Sequence, residues 1–579
     1  MIGQVIRDRF YKYLIPMCMT AFALSLSEFM DGIVVSNLLN SDALAVLNMG
    51  TAFNSITSAI YTLFGIGGSI CYARYQGQAD RKKAEQFFSS AVTFAFIISL
   101  IVSIFCICFP ETLLNILCKS DNLKPMFNDY IKVQIIAAPL ICAVMTVVSF
   151  LPAAGYPIES TVFNIGHNVC NIFLDFVFIR VFHLGVMGAA LATVTSVIIW
   201  SIVVFVWIRL KNNQLNYSLK EGFNLKCSGE IISLGFAVAL TQIGFSIKIA
   251  YSNSILIELF GKQGVVVFSV CMQLISIMSI FLSGMLRTVT PLVSMLNGQK
   301  DYSGIRNSIK LGMKLLGIIS FAIVGIILIY PDLVLHIYNA YDPATIGMAR
   351  SGIRIFALSL GIRCLYMLYM SCVNALGRKK YGLFITLFDG FVGLLIFAKP
   401  MVAVFGPFGF WWTYPLASVV LSLCIAVINK IIVKKSNFEL DPLCLTKKNQ
   451  SKSLYYAYRK NDKESLSKAS RTACEFAREN GFSNRASNAL GLVMEEYPLY
   501  ISEHVKHSTI ADAVINCIDD GIIVGFRIIG KAYKDNWIEN ESNTENIKIV
   551  ENLIENINYS YVMGINYSQI LIKEKNNRR

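Results

Sequence analysis

Long apolar runs separated by short polar segments fill the chain from residue 13 to residue 433. A helix that crosses a bilayer needs about 20 predominantly apolar residues, and each run has about that length. The predicted membrane spans are 13–36, 47–72, 88–110, 131–150, 161–182, 187–208, 231–257, 264–290, 311–330, 350–372, 382–404 and 410–433. The pattern therefore predicts an all-α polytopic membrane protein with twelve helices.

Composition and charge support a membrane protein. Hydrophobic residues make up 55% of the chain and charged residues 15%, whereas soluble domains average about 25% charged residues. The net charge is +14, and basic residues cluster at the N-terminus, in every second loop and after the last span. This alternation predicts that both termini are cytoplasmic, and it predicts no nucleic-acid partner. The 15 cysteines are scattered singly, so neither a metal site nor a disulfide framework is predicted.

Matching turns occur in the two halves of the membrane region. GQAD at 77–80 recurs as GQKD at 298–301, and GVMG at 185–188 recurs as GPFG at 406–409, both 221 residues later. Six spans separate the copies, so the halves share one orientation, as in transporters with parallel repeats. The predicted domains are a six-helix N lobe (1–220), a six-helix C lobe (221–440), a linker (441–450) and a cytoplasmic domain (451–579).

Charged and polar side chains inside spans are the first functional candidates, because a charge at the centre of a spanning helix costs about 2.5–3.5 kcal/mol. Glu28 and Asp31 are three residues apart in the first span and share a helix face. Asn171 and Asp175 are four residues apart in the fifth span and also share a face. Lys248 lies deep in the seventh span.

Two further charges lie near span ends. Arg287 and Asp389 are close enough to the ends of their spans to predict that their charged groups reach the membrane surface. The 221-residue offset maps Glu28 onto Ile249, next to Lys248. An ion pair between Glu28 and Lys248 that closes one face between the lobes is therefore an alternative prediction.

Residues 1–435 resemble the MATE (multidrug and toxic compound extrusion) transporters. The resemblance rests on MDGI at 30–33, DALA at 42–45, NIFLD at 171–175, GVMGAALAT at 185–193, and the stretch from Gly284 to PLVS at 291–294. It implies a V-shaped body with alternating access that exports a small organic substrate by antiport with Na⁺ or H⁺. Carried onto this sequence, the family's cation site implies Asp31, Asn171, Asp175 and Thr193. Their oxygen atoms suit a hard cation, and a desolvated carboxylate pair can instead hold a proton.

Lys248 and Arg287 depart from what the resemblance implies, because both would repel a cationic drug. We treat them, with Glu28, as candidate substrate or gate residues. Two alternative functions stay open: export of an anionic or lipid-linked metabolite, and a membrane-tethered signalling protein whose helices sense a ligand. The deep acids favour transport, because a sensor needs no site for a coupling ion.

After the linker the composition changes to balanced acids and bases, with 17 of each in residues 451–579. The absence of a span-length apolar run predicts a soluble α+β domain. Its predicted elements are helices at 464–480, 484–507 and 545–558 and strands at 512–518, 521–529 and 566–573. Asp519 to Gly521 is predicted to form a hairpin turn, because Asp-Gly between two apolar runs is a strong turn signal.

The segment around Glu496 resembles the GHKL ATP-binding fold in its anti-sigma-factor serine-kinase form. The resemblance implies that Glu496 matches the catalytic acid, but Tyr500 stands where the family has its metal-binding Asn, and Pro498 is predicted to break the helix between them. Isoleucines precede Gly530 where the family has acids, and Gly564 resembles its closing glycine turn. We therefore predict a degenerate, catalytically inactive nucleotide site around Glu496 and Gly530.

These observations lead to one set of expectations. The protein is predicted to be a monomeric, multi-pass transporter of a prokaryotic cell membrane and not an enzyme. Its partners are a small-molecule substrate, the lipid bilayer and a cytoplasmic protein that binds residues 451–579. Na⁺ or H⁺ is the coupling ion, and no other cofactor is predicted.

Overall fold

Two helical lobes are followed by a small mixed domain in the structure, a computed structural model. It describes residues 3–38, 41–117, 123–210, 215–337, 346–436, 441, 443, 453–459, 463–504, 510–518, 521–530 and 554–573. At some of these positions only the backbone is described. They include most of 27–45, so the side chains of Glu28 and Asp31 lie outside the description.

The described residues of the N lobe form six long helices. They are α1 (Gln4–Leu38), α2 (Ser41–Gly77), α3 (Arg81–Cys108), α4 (Lys124–Phe150), α5 (Pro157–Asp175) and α6 (Gly185–Leu210). A π-helical turn, Phe176–Val181, continues α5, and Pro110–Leu117 and Leu219–Gly222 form short helices. A helix satisfies all its interior backbone hydrogen bonds within the segment, which is why apolar runs of this length adopt it in lipid.

In the part of the C lobe that the structure describes there are five long helices. They are α7 (Leu225–Gly298), α8 (Tyr302–Ile329), α9 (Ile346–Ala375), α10 (Lys379–Phe405) and α11 (Gly409–Lys435), with a short helix at Pro331–Ile337. The 74 residues of α7 contain two predicted spans, separated by a kink at Gly261, where φ is 62° and ψ is −150°. Only glycine adopts such a conformation readily. A π-helical turn, Phe388–Val392, interrupts α10.

Ten of the described helices are long and apolar enough to cross a membrane. They account for all the predicted spans except 13–36 and 231–257. Those two spans lie within α1 and within the first half of α7. Every predicted span therefore falls in a long helix, and the predicted all-α membrane fold is confirmed.

The repeated turn has the same backbone form in both lobes. Asp80 caps α3 and Asp301 caps α8, each accepting a hydrogen bond from the backbone N–H three residues later, at 3.1 Å and 2.7 Å. The residues before them, Ala79 and Lys300, have φ values of 56° and 58°. A positive φ is uncommon for residues other than glycine, so its presence at both positions supports the internal repeat.

The lobes pack closely at the end that carries these turns. A Cβ atom on Gly298 would lie 2.1 Å from the carbonyl oxygen of Arg74 in α2, so only glycine permits this approach. Ser294 donates a hydrogen bond to the carbonyl oxygen of Ile70 at 2.5 Å. Arg74 also forms an ion pair with Glu230 at the start of α7. These contacts join α2 of one lobe to α7 of the other.

The described residues of the C-terminal domain form a five-stranded antiparallel sheet and two helices. Its elements are β1 (Ser453–Arg459), α12 (Lys463–Glu479), α13 (Asn484–His504), β2 (Ile510–Ile518), β3 (Gly521–Ile529), β4 (Ile554–Val562) and β5 (Ile565–Lys573). The strand order is β1-β2-β3-β5-β4. Ile518 pairs with Gly521, so two residues connect β2 to β3. Asp519 and Asp520 of the predicted turn lie outside the described residues.

Some predictions for this domain are wrong. Of the predicted helix at 545–558, residues 545–553 lie outside the description, and the rest belongs to β4, where β-branched and aromatic residues pair with β5. Pro498 does not break α13, because the helix is held by burial of Tyr497 and Tyr500 on either side of it. Strand β1 was not predicted, because its pairing with β2 joins segments more than 50 residues apart.

Candidate functional site

Two hydrogen bonds with the same spacing hold α1 against α5. Thr161 Oγ1 donates to the carbonyl oxygen of Pro16 at 2.9 Å, and Asn168 Nδ2 donates to that of Ala23 at 3.0 Å. Both bonds join residues 145 positions apart. Parallel helices rise by the same ~1.5 Å per residue, so this register sets position 31 of α1 level with position 176 of α5. The register therefore places position 31 at the same height as Asp175, which is consistent with the predicted site.

Three of the four predicted cation-site residues lie between α5 and α6. Asn171 Nδ2 donates to Thr193 Oγ1 at 3.4 Å, and Thr193 Oγ1 donates to the carbonyl oxygen of Ala189 at 3.2 Å. Asn171 and Asp175 share one face of α5 and are 3% and 2% exposed. Asp175 is the last residue before the π-helical turn, a feature that recurs at functional sites. The side chains of Asp31 and Glu28 lie outside the description.

The C lobe repeats this backbone arrangement with different side chains. Adding the 221-residue offset to positions 31 and 193 gives Ser252 of α7 and Tyr414 of α11. Their hydroxyl oxygens lie 2.7 Å apart. Tyrosine reaches several ångströms farther than threonine, so this contact does not show that the side chains at positions 31 and 193 touch. By the repeat, positions 31 and 193 are expected only to face the same interior region of the N lobe.

A cluster of charges lies buried inside the C lobe. Arg363 of α9 donates to both carboxylate oxygens of Asp389 at 3.2 Å, and Tyr366 donates to the same carboxylate. Asp389 lies in the π-helical turn of α10 and is only 9% exposed. The prediction that Asp389 reaches the membrane surface is wrong, because this carboxylate is neutralised within the lobe.

Lys248 of α7 belongs to the same cluster. Its Nζ atom lies 3.9 Å from Asp389 Oδ1 and 5.8 Å from the centre of the Tyr414 ring. The ion pair that the structure shows for Lys248 is therefore within its own lobe. The alternative pair with Glu28 involves a side chain outside the described part of the chain.

Arg363 was not among the predicted functional residues. It could have been found, because Arg363 lies in the middle of the apolar run at 350–372. A charge at that depth costs as much free energy to bury in a membrane as the predicted charges of the other spans. Arg287, which was selected, is half-buried in α7 and forms no ion pair with any acid whose side chain is described. Among the described residues, no group of three or more His, Cys, Asp or Glu side chains could hold a metal ion.

The C-terminal domain lies against both lobes. In the C lobe, Arg527 of β3 donates to Asp301 at 2.7 Å and to Gln299 at 3.3 Å. In the N lobe, Ser560 of β4 donates to the carbonyl oxygen of Gln76 at 2.7 Å. A Cβ atom on Gly564, in the turn between β4 and β5, would lie 2.7 Å from Nη1 of Arg9. We call this end of the lobes, formed by Arg9, Gln76, Gln299 and Asp301, the docked face.

Arg527 is the central residue of this contact. It is 1% exposed and also binds Asp512 of β2 at 2.6 Å, so two carboxylates share one guanidinium. Burial alone would lower the pKa of Arg527, but Asp512 and Asp301 raise that pKa above its ordinary value. The guanidinium therefore stays charged in the docked domain. Val562, Met563 and Ile565 add apolar contacts, since they belong to one buried cluster with the helices of the C lobe.

Within the domain, Glu496 is half-buried on α13 and Gly530 follows the end of β3. Tyr500, one turn after Glu496, is buried and its ring centre lies 6.0 Å from that of Tyr497. Ile528 is buried in the sheet. The resemblance to the GHKL fold and the degenerate nucleotide site stay predictions.

We expect calorimetry with ATP and Mg²⁺ to detect no saturable binding to the full-length protein. A buried phenol at position 500 supplies no amide oxygen to a hard cation. Ile528 and Ile529 cannot accept a hydrogen bond from the adenine amino group, whose loss costs about 1–3 kcal/mol when the group is buried. Micromolar binding would show that the domain has a working nucleotide site and that residues other than Tyr500, Ile528 and Ile529 occupy the family's key positions.

Comparisons with known proteins agree with this architecture. The family model MatE matches residues 16–177 and 237–397, two segments that begin 221 residues apart. The multidrug export protein MepA of Staphylococcus haemolyticus strain JCSC1435 is 21% identical over 404 residues, covering 69% of this chain and 88% of that protein. MepA of Staphylococcus saprophyticus is 24% identical over 390 residues, covering 67% and 86%.

A solved structure shows the same fold in the membrane region. The outward-facing conformation of a multidrug resistance MATE family transporter of the MOP superfamily superposes with a TM-score of 0.68 at 20% identity. The match covers 75% of this chain and 99% of that chain. Because the MatE model matches more than half of the residues, in two copies with the spacing of the internal repeat, this multi-pass membrane protein belongs to the MATE family of transporters.

Proposed function

We propose that this protein exports a small organic molecule by antiport with Na⁺ or H⁺ and that its C-terminal domain regulates the cycle. The observation that carries the antiport is the polar group formed by buried Asn171, buried Asp175 and half-buried Thr193, level with position 31 of α1. Carboxylate and amide oxygens suit a hard cation, and a buried carboxylate can instead hold a proton. The relatives named MepA are multidrug export proteins, which supports a drug-like organic substrate.

Contacts with both lobes support a regulatory role for the C-terminal domain. Arg527 binds the turn between α7 and α8, and Ser560 binds the end of α2. A body that binds both halves at one end resists their separation there. In alternating access the lobes must separate at each end in turn. The docked domain therefore favours the state in which the docked face is closed, and undocking lets the cycle proceed. Basic loops predict that this face is cytoplasmic.

Transport by the purified full-length protein in liposomes tests the proposal. Ethidium and carboxyfluorescein serve as probes of opposite charge, each with an imposed Na⁺ gradient and, separately, an imposed pH gradient. We expect at least one dye to move against its own gradient with one of the two ions, and to stop when an ionophore dissipates the ion gradient. No gradient-dependent movement of either dye by folded protein would contradict antiport of such molecules.

A further inference from the structure

The charge cluster of the C lobe carries one more positive charge than negative. Arg363 and Tyr366 together donate three hydrogen bonds to Asp389, so the Arg363–Asp389 pair is neutral and well satisfied. Lys248 adds a second cation, 8% exposed and 3.9 Å from the same carboxylate. Among the side chains that the structure describes, Lys248 has no acid other than Asp389 in ion-pair range.

A surplus buried charge destabilises a membrane protein unless a counter-charge approaches it. The face of the Tyr414 ring, 5.8 Å from Lys248 Nζ, supplies only part of that compensation. Most long charged side chains escape the cost by extending to the membrane surface. Lys248 is instead held inside the lobe, which indicates a role that needs its charge there.

Small cavities adjoin the cluster, and Lys248, Arg363 and Asp389 line more than one of them. One of these cavities is also lined by Thr386 of α10. The Thr386 hydroxyl is buried, with 1% of the residue exposed, and it has no hydrogen-bond partner among the described residues. Lys248 Nζ, Thr386 Oγ1 and the Arg363 nitrogen that does not bind Asp389 are all hydrogen-bond donors. The cavity therefore offers donors and positive charge to a group that accepts hydrogen bonds and is negative.

We propose that this cavity binds an anionic group, a carboxylate or a phosphate, and that Lys248 supplies the charge that selects it. Arg363 and Asp389 form the neutral support beside it, and Thr386 orients the bound oxygen atoms. The site depends on the C-lobe cluster alone and not on the coupling site of the N lobe. If the bound group belongs to the exported molecule, the substrate of the proposed antiport is an anion.

Thermal unfolding of the full-length protein in detergent tests the site without any ion gradient. Acetate or inorganic phosphate replaces chloride at constant ionic strength, and the unfolding temperature is followed as the anion concentration rises. A ligand that binds only the folded state raises this temperature in proportion to its occupancy. We expect at least one of the two anions to raise it, and we expect Lys248→Gln to weaken the apparent affinity about 10- to 100-fold, as loss of a charged hydrogen bond predicts. Thr386→Val should weaken it less.

Lys399→Gln is the matched control, since Lys399 is an exposed lysine of α10 in the same lobe. It should respond to the anions as the unchanged protein does. Without added anion, Lys248→Gln should unfold at the same temperature or higher, because the Arg363–Asp389 pair stays neutral. A response to acetate alone or phosphate alone supports the site and identifies the group. No response in the unchanged protein, or an equal response in Lys248→Gln, would overturn it. Binding without dye transport would support this site and contradict the proposed antiport.

Discussion

Asp175→Asn is expected to abolish gradient-driven transport in liposomes while the protein stays folded and inserted. Asparagine has nearly the same volume as aspartate but cannot ionise, so it neither balances a bound cation nor carries a proton. Asp175 is buried one helical turn from Asn171, where solvent cannot substitute for the lost charge. Asp31→Asn should have the same effect, because the α1–α5 register sets position 31 level with Asp175. The initial rate of dye movement should fall to that of protein-free liposomes.

Asp129→Asn provides the control for these two substitutions. Asp129 is an exposed acid in the first turns of α4, so its replacement should leave the rate unchanged. Equal thermal unfolding temperatures of all variants would show that lost transport is not lost folding. Full gradient-driven transport by both Asp175→Asn and Asp31→Asn would place the ion site elsewhere, for example around Asp389.

Asp301→Asn should undock the C-terminal domain and speed up transport. The charged hydrogen bond between Asp301 and Arg527 is buried, and its loss costs about 1.5–3 kcal/mol, which weakens docking about 10- to 100-fold. Asparagine still caps α8, because it accepts the same backbone hydrogen bond. Arg527 keeps its partner Asp512, so the domain itself should stay folded. Hydrogen exchange of the amides in the β4–β5 turn around Gly564, which lies against the lobes, and the initial rate of dye transport measure the two effects.

Asp80→Asn is the matched variant, because the internal repeat makes Asp80 the equivalent of Asp301. Asp80 caps α3 and forms an ion pair with Lys83 of its own helix, at 3.1 Å. Its replacement should change neither the exchange of the β4–β5 turn nor transport, because an ion pair at an exposed site contributes little. If Asp301→Asn slows transport, the docked domain is needed for the cycle instead of restraining it.

Sequence patterns predicted the membrane fold well because the bilayer imposes a local rule. Each apolar run must satisfy its backbone within itself, so length and composition alone locate the helices. The internal repeat was visible in turns such as 77–80 and 298–301, where tight backbone geometry restricts the choice of residue. In the C-terminal domain, the hairpin from β2 to β3 was equally local, and it was predicted correctly.

The edge strands of the sheet and the effect of a single proline in a helix were less predictable. β1 pairs with β2, and β4 needs β5 beside it, so neither strand has a reason to form that is visible in its own segment. Pro498 illustrates the opposite case, because the local sequence predicted a helix break and tertiary packing overrode it. Tyr497 and Tyr500 are buried in the domain core. The free energy gained from this burial exceeds the cost of the one backbone hydrogen bond that Pro498 cannot donate, so α13 continues through it.

The sequence by itself determined that this chain is a two-lobed transporter of the MATE family, with acids deep in spans one and five. Only the tertiary structure decided how its other charges are used. Asp389 is neutralised by Arg363 from another helix, so that Lys248 becomes a surplus cation. Arg527 binds Asp301 across 226 residues of sequence and thereby attaches the C-terminal domain to the lobes. Such pairs depend on which helices and strands meet, and no spacing along a single segment encodes that.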